Sequence, residues 1–281
     1  MNASVHDDRP CLLGEGALWH PLRRQFFWFD ILGRRLMSRD HAGPLEWRLD
    51  RMASAAGWID RDRLLVATET GLAILDLTRG GALEDLAPVE AGDAATRSND
   101  GRADRQGGFW FGTMGKRAEP GAGALYRWYR GQVRRLFQGI GIPNAISFAP
   151  DGRTAFFADT AVARVWRQPL DAQGWPQGPR QPYLDLAGQG LAPDGAVIDA
   201  DGGFCCACWG EGAVIRFAPD GRQTHRFTVG GKHSTCPAFG AAGQMLVTTA
   251  REGIAAPDPA QGLTYLVAHD LRAIPEPAVL L

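Results

Sequence analysis

Asn144-Ala145-Ile146-Ser147-Phe148-Ala149-Pro150-Asp151-Gly152, followed by Ala155-Phe156-Phe157-Ala158, is the stretch from which the fold can be read. It opens on an amide, places an aromatic residue four positions on, reaches an Asp-Gly turn after eight, and then enters a compact apolar run. Laid along the chain, the pattern recurs six times. Its first position is held by Glu15, Ser54, Asn99, Asn144, Asp194 and Thr235, at intervals of 39, 45, 45, 50 and 41 residues, and each carries a side-chain oxygen. The position four later is Trp19, Trp58, Ala103, Phe148, Ile198 or Phe239, and four repeats reach glycine after eight, at Gly107, Gly152, Gly202 and Gly243. Periods of a few tens of residues mark stacked or radial architectures.

The apolar runs are Phe26-Phe27-Trp28-Phe29, Leu64-Leu65-Val66-Ala67, Phe109-Trp110-Phe111, Ala155-Phe156-Phe157-Ala158, Phe204-Cys205-Cys206-Ala207-Cys208 and Met245-Leu246-Val247. Short runs rich in aromatic and branched residues, bounded by Gly, Asp and Pro, read as buried strands. A second, looser strand follows each, as in Ala124-Leu125-Tyr126-Arg127-Trp128. Asp151-Gly152, Asp201-Gly202 and Asp220-Gly221 are hairpin dipeptides, because glycine supplies the positive φ of tight turns. No long stretch shows helical periodicity. Three to four strands in each of six repeats describe an all-β, six-bladed propeller spanning residues 1–281 as one domain. Residues before Glu15 are expected to add the outer strand of the last blade and close the ring. Two β-sandwiches divided near residue 140 fit less well, because Gly139-Ile140-Gly141-Ile142-Pro143 runs straight into a repeat.

Composition narrows the partners. The 281 residues are 45% hydrophobic and 22% charged, with a net charge of −1. This is globular composition, and it gives no electrostatic reason to expect nucleic acid or an anionic membrane. No run approaches the roughly 18 apolar residues of a membrane span. Met1 to Arg9 has neither the basic start nor the apolar run of a secretory signal. The cysteines, Cys11, Cys205, Cys206, Cys208 and Cys236, are odd in number and lack disulfide spacing, which suits a reducing compartment. A cytoplasmic protein is expected, monomeric or weakly oligomeric, since a propeller completes its core alone. Cys206, Cys208 and Cys236 read as core residues, and the six histidines show no ligand spacing.

In a propeller the first strand of each blade is innermost, so repeat positions far apart in sequence converge on the axis. Glu15, Asn144 and Asp194 would there form an all-oxygen set suited to one divalent ion: Ca²⁺, Mg²⁺ or Mn²⁺, with Zn²⁺ or Fe²⁺ also accepted. Without a cation the two carboxylates repel in a low-dielectric channel, and one has to hold a proton. Ser54 and Thr235 read as structural. Arg97, in Arg97-Ser98-Asn99-Asp100-Gly101, offers a planar fork of donors for an oxygen-rich or anionic ligand. It reads equally as a surface arginine paired with Asp100. Asn99 is a candidate to donate to a substrate hydroxyl or to hold a metal-bound water, and Trp209 can line the channel mouth.

The segments Leu13-Gly14-Glu15-Gly16-Ala17-Leu18-Trp19-His20-Pro21, Arg97-Ser98-Asn99-Asp100-Gly101, Phe109-Trp110-Phe111-Gly112-Thr113-Met114, Gly123-Ala124-Leu125-Tyr126, the Asn144 segment and Pro193-Asp194-Gly195 resemble, in order and over nearly the whole chain, the senescence-marker protein, regucalcin and gluconolactonase family. The resemblance implies a metal-dependent lactonase that opens sugar lactones, with a calcium- or ligand-binding propeller of the regucalcin type as the non-catalytic alternative. It implies metal ligation by Glu15, Asn144 and Asp194, and substrate contact by Arg97 and Asn99. Asp194, beside metal and water, is expected to be the general base. After the Gly-Thr-Met motif some animal members carry an acidic residue facing the sugar, whereas this chain has Gly115-Lys116-Arg117, so substrate preference does not carry over.

Overall fold

The computed structural model describes residues 3–241 and 243–281; Met1, Asn2 and Ala242, which the single-domain reading includes, lie outside them. Six four-stranded antiparallel sheets follow one another along the chain. Their inner strands are Gly14–His20 in blade 1, Ala53–Trp58 in blade 2, Thr96–Ala103 in blade 3, Pro143–Phe148 in blade 4, Ala192–Ile198 in blade 5 and His233–Phe239 in blade 6. The expected propeller is what forms. Two short 3₁₀ turns are the only helical segments among the described residues, and no helix is long and apolar enough to cross a membrane.

The apolar runs are continuous, without alternation, because both faces of the second strand in each blade are covered. Successive side chains of a strand point to opposite faces. Phe27 and Phe29 accordingly pack toward blade 2 with Leu64 and Val66, while Phe26 and Trp28 pack toward blade 6 with Ala238 and Leu246. The core is thus a ring of interblade wedges. Val66 joins one wedge and Leu65 the next, which continues to Phe109 and Phe111 of blade 3.

Every inner strand breaks its pairing at the repeat position. The register with the second strand slips between Glu15 and Leu18, Ala53 and Ala55, Ser98 and Gly101, Asn144 and Ser147, Pro193 and Ala196, and Ser234 and Pro237. A β-bulge twists the strand locally and re-aims its side chains. The sixfold recurrence of an oxygen-bearing residue is therefore the recurrence of a bulge.

Both chain ends close the ring. Ser4–Asp7 pairs with Thr264–Ala268 and becomes the outer strand of blade 6, as expected. Asp7 then ties blade 6 to blade 1. Its carboxylate accepts from Arg9 Nε and Nη2, each at 2.9 Å, and from Arg39 Nε at 3.2 Å. Arg9 also donates to Leu45 O and Ser38 O in blade 1. At the other end, residues after Asp270 cross the channel mouth opposite the site. Val279 N donates to Trp58 O, Leu280 N to Gly107 O, and Trp58 Nε1 to Glu276 O. Phe148, Ile198 and Phe239, each four residues after a repeat position, line the space this tail covers, and only about 20 Å³ remains open there.

Asp7→Asn is expected to lower unfolding stability by about 1 kcal/mol in urea melts at neutral pH, because two partly exposed arginines lose a buried, charged acceptor. Burial opposes ionisation of Asp7, but Arg9 and Arg39 outweigh it and hold the carboxyl below its ordinary 3.8. A depressed carboxyl stabilises the fold above its unfolded value and loses that contribution as pH falls through the folded value. The gap between wild type and variant should therefore persist above about pH 4 and close below it.

Candidate functional site

Glu15 owes its position to the two glycines beside it. Gly16 adopts φ +57°, and a Cβ there would collide with the Ser54 carbonyl of blade 2; a Cβ on Gly14 would meet the Thr249 carbonyl of blade 6. Only backbone fits between these strands, so blade 1 closes on both neighbours and its carboxyl group is delivered to the axis. In blade 4 the same left-handed step is taken by Ala145, at φ +57°. A non-glycine residue held there is a strained conformation of the kind that gathers at functional sites. It frees the Ile146 N–H, which donates to Asp100 Oδ2 of blade 3 at 2.7 Å.

The structure brings all three candidate ligands together. Glu15, Asn144 and Asp194 are buried and line one cavity of about 380 Å³ at the axis, in company with Arg97 and Asn99. That volume lies within the range of small-molecule sites. The carboxyl groups of Glu15 and Asp194 are within hydrogen-bonding reach of each other. Burial raises both above the ordinary carboxyl range; the Asp100 charge adds to this at Glu15, and the Glu15 and Asp100 charges add to it at Asp194. Burial and mutual repulsion thus disfavour the two carboxylates being charged together. Two carboxyl groups that burial keeps from ionising together, with an amide oxygen alongside, form a donor set that fits one divalent cation, since such an ion would balance both charges. Among the described residues no third His, Cys, Asp or Glu completes a cluster, so a set of three here needs an amide such as that of Asn144, which lines the same cavity.

A directed chain of hydrogen bonds sets the amides. Arg97 Nη1 donates to Asn99 Oδ1 at 2.8 Å, Asn99 Nδ2 to Asn144 Oδ1 at 2.9 Å, Asn144 Nδ2 to Thr160 Oγ1 at 2.8 Å, and Thr160 Oγ1 to Pro193 O at 2.6 Å. The chain runs through blades 3 and 4 and ends on the residue before Asp194. It leaves Asn144 Oδ1, on the wall of the same cavity as the carboxyl pair, with one lone pair outside the chain. Asn99 Nδ2 also donates to Pro143 O at 3.0 Å, so both of its amide hydrogens are taken. Donation to a substrate hydroxyl, one of the two expected roles of Asn99, would have to displace one of these bonds, and a lone pair of Oδ1 is what the side chain has left to offer a hydroxyl or a water.

Arg97 is not the surface arginine of the alternative reading. It is buried, it donates to Ser98 O and Asn99, and its other N–H groups make no protein contact among the described residues. Burial works against its charge, while Glu252, Glu15 and Asp194 support it. Asp100 turns inward, away from Arg97. Its carboxyl is raised to about 6 by burial, against the Arg102 charge and the Ile146 and Gly101 N–H donors. Trp209 does line the cavity, its indole stacked on the His233 ring at 4.1 Å and 19°. Ser54 and Thr235 are structural, Ser54 bonding Ser98 Oγ and Thr235 bonding Gly14 O and Thr248. Cys206, Cys208 and Cys236 are buried free thiols. Sequence reasoning missed Thr160, Glu252 and the inward turn of Asp100. Asp100 had a signal, since it follows a repeat position directly; Thr160 and Glu252 had none.

Residues 13–251 match the family described as SMP-30/Gluconolactonase/LRE-like region. The chain is 36% identical to an L-arabinolactonase of Azospirillum brasilense over 276 residues, covering 94% of this chain and 91% of the relative. It is 30% identical to a 6-deoxy-6-sulfogluconolactonase of Pseudomonas putida over 281 residues, covering 96% and 95%. Among solved structures, a calcium-binding protein, regucalcin, from Agrobacterium tumefaciens str. C58 superposes with a TM-score of 0.95 at 40% identity, covering 100% of this chain and 98% of that one.

Thr160→Val removes both the acceptor of Asn144 Nδ2 and the donor to Pro193 O. Loss of such an outer partner costs about 10- to 100-fold in metal affinity. Calorimetric titration with Ca²⁺ and Mn²⁺ is expected to show a loss in that range for Thr160→Val and near-normal affinity for Thr160→Ser.

Proposed function

The chain belongs to the SMP-30/gluconolactonase/LRE-like family, and on that footing we propose that it is a sugar lactonase, opening an aldonolactone to the aldonic acid with one divalent ion held by Glu15, Asn144 and Asp194. The observation that carries this reading is the buried carboxyl pair sharing with Asn144 the wall of one cavity that Arg97 also lines. The ion, whether Ca²⁺, Mg²⁺, Mn²⁺, Zn²⁺ or Fe²⁺, would supply Lewis-acid polarisation of the lactone carbonyl.

The chain's own groups do the rest. Asp194 takes a proton from the water that adds to the carbonyl carbon, and returns it to the ring oxygen as the carbon–oxygen bond breaks. Proton transfer by a positioned carboxylate contributes on the order of 10²–10⁴ in rate. Arg97 directs its free N–H groups at ring oxygens and Asn99 Oδ1 accepts from a hydroxyl, which holds the lactone in one orientation. The cavity walls limit the water that reaches the carbonyl. In this reading residues 1–281 act as one domain on a small molecule, with no nucleic acid or membrane partner. The five buried thiols suit the cytoplasm.

A second reading is favoured by the resemblance to the calcium-binding regucalcin structure: a propeller that holds calcium or a ligand without turnover. The two part in a pH-stat assay, because ring opening yields an acid. A panel of pentonic and hexonic lactones, run with each divalent ion and then with chelator, is expected to show acid release that chelator stops and added metal restores. Asp194→Ala should lose at least about 10²-fold in kcat, whereas Arg97→Ala should act mainly through KM. Near-normal turnover by the Asp194 variant, or turnover indifferent to chelator, would overturn the scheme; metal binding with no turnover on any lactone would establish the second reading.

A further inference from the structure

The rim of the cavity bears two cations that the proposed chemistry leaves idle, Lys116 and Arg117, on the loop after the Phe109–Gly115 strand. Both are already engaged. Lys116 Nζ donates to Glu69 Oε2 at 2.6 Å, and Glu69 is anchored because its Oε1 accepts from Met52 N at 2.9 Å. The side chains of this pair are 31% and 18% exposed, so it is partly withdrawn from water. Burial opposes ionisation of Glu69, yet Lys116 and the Met52 amide hold its carboxyl below the ordinary range. Arg117 donates through Nε and its backbone N–H to Glu119, and its side chain projects into solvent.

Glu252 also lines the cavity and makes no ion pair among the described residues; its charge acts instead on buried Arg97. Arg97, deep in the cavity and facing the Glu252 charge, is its one cation outside an ion pair among the described residues, so a substrate whose far end carries a carboxylate or sulfonate would meet no free cation at the rim. A substrate ending in hydroxyls would meet the Glu252 carboxylate, which accepts hydrogen bonds.

We propose that Glu69 is a specificity-determining residue: by holding Lys116 it denies the rim a free cation, and so restricts the site to sugar lactones whose distal carbons carry hydroxyls and no acidic group. The reaction in this statement rests on the lactonase reading; the charge selection does not. Glu69 touches no substrate and acts through Lys116. It supplies the repulsive element that selectivity between similar ligands requires.

The test separates binding from turnover. Glucose and glucuronate, which differ by the acidic carbon, are titrated calorimetrically into the full chain, and kcat/KM is measured on gluconolactone and on glucarolactone. Wild type is expected to prefer the neutral member of each pair by about tenfold or more, the effect of an acidic group left without a cation to meet it. Glu69→Gln keeps the acceptor for Met52 N and releases Lys116, so the preference should narrow about five- to tenfold by gain on the acidic member. Lys116→Ala added to Glu69→Gln should cancel that gain. Equal binding of the two sugars, binding of neither, or an unchanged preference in Glu69→Gln overturns the proposal. Selective binding that Glu69→Gln narrows, without turnover of any lactone, upholds it and removes the lactonase reading instead.

Discussion

Glu15 and Asp194 come from the first and fifth blades, 179 residues apart in the chain, yet their carboxyl groups are buried against one another at the axis. Two carboxyl groups in that situation cannot both be charged unless something positive joins them. The surroundings supply only part of it. Arg97 leans toward the pair without an ion pair to either, and Asp100 adds a further acidic group below. The ring is thus assembled around a deficit of positive charge, and the backbone devices that keep the pair in place are costly ones: a left-handed alanine at position 145, and two glycines where a side chain would collide with neighbouring blades.

Because no blade has a closed core of its own, that placement depends on the whole circle. Each wedge of aromatic and aliphatic side chains belongs to two blades, so a shift in one is passed to the next. The chain ends complete this. Asp7 links the last blade to the first through two arginines, and the C-terminal tail caps the channel behind the site while its carbonyls take the indole N–H groups of Trp58 and Trp128. A buried ion pair between Arg102 and Glu276 lies under that cap, which keeps the Arg102 charge compensated below Asp100.

The fold was legible because its defining irregularity repeats. A bulge that aims a polar side chain at the axis needs an oxygen at one position, an apolar residue four later to floor the channel, and a glycine at the hairpin beyond. All three recur in the sequence at propeller spacing. The same logic exposed Glu15, Asn144 and Asp194 before any geometry was known. What stayed hidden was aperiodic. Thr160 lies in a 3₁₀ turn after the second strand of blade 4 and has no counterpart in register, so nothing in the repeat marks it as the group that orients Asn144. The occupied hydrogens of Asn99 are equally invisible in sequence, because Pro143 O and Asn144 Oδ1 reach it across a blade boundary.

The site divides into a floor and a rim built by different means. Floor groups sit on bulged inner strands, where a displaced side chain would disturb two wedges at once, and their hydrogen bonds leave little freedom: the Arg97–Asn99–Asn144–Thr160 chain has one donor direction throughout. Rim groups sit on loops between strands, where Lys116 pairs with Glu69 and Arg117 with Glu119 outside the interblade wedges. Change at positions 69, 116, 117 or 119 therefore alters the charge a ligand meets while the carboxyl pair and its amide stay as they are. On this architecture the reaction and the choice of sugar can vary independently, since the first is written into strand pairing across the whole propeller and the second into a few ion pairs at one mouth of the channel.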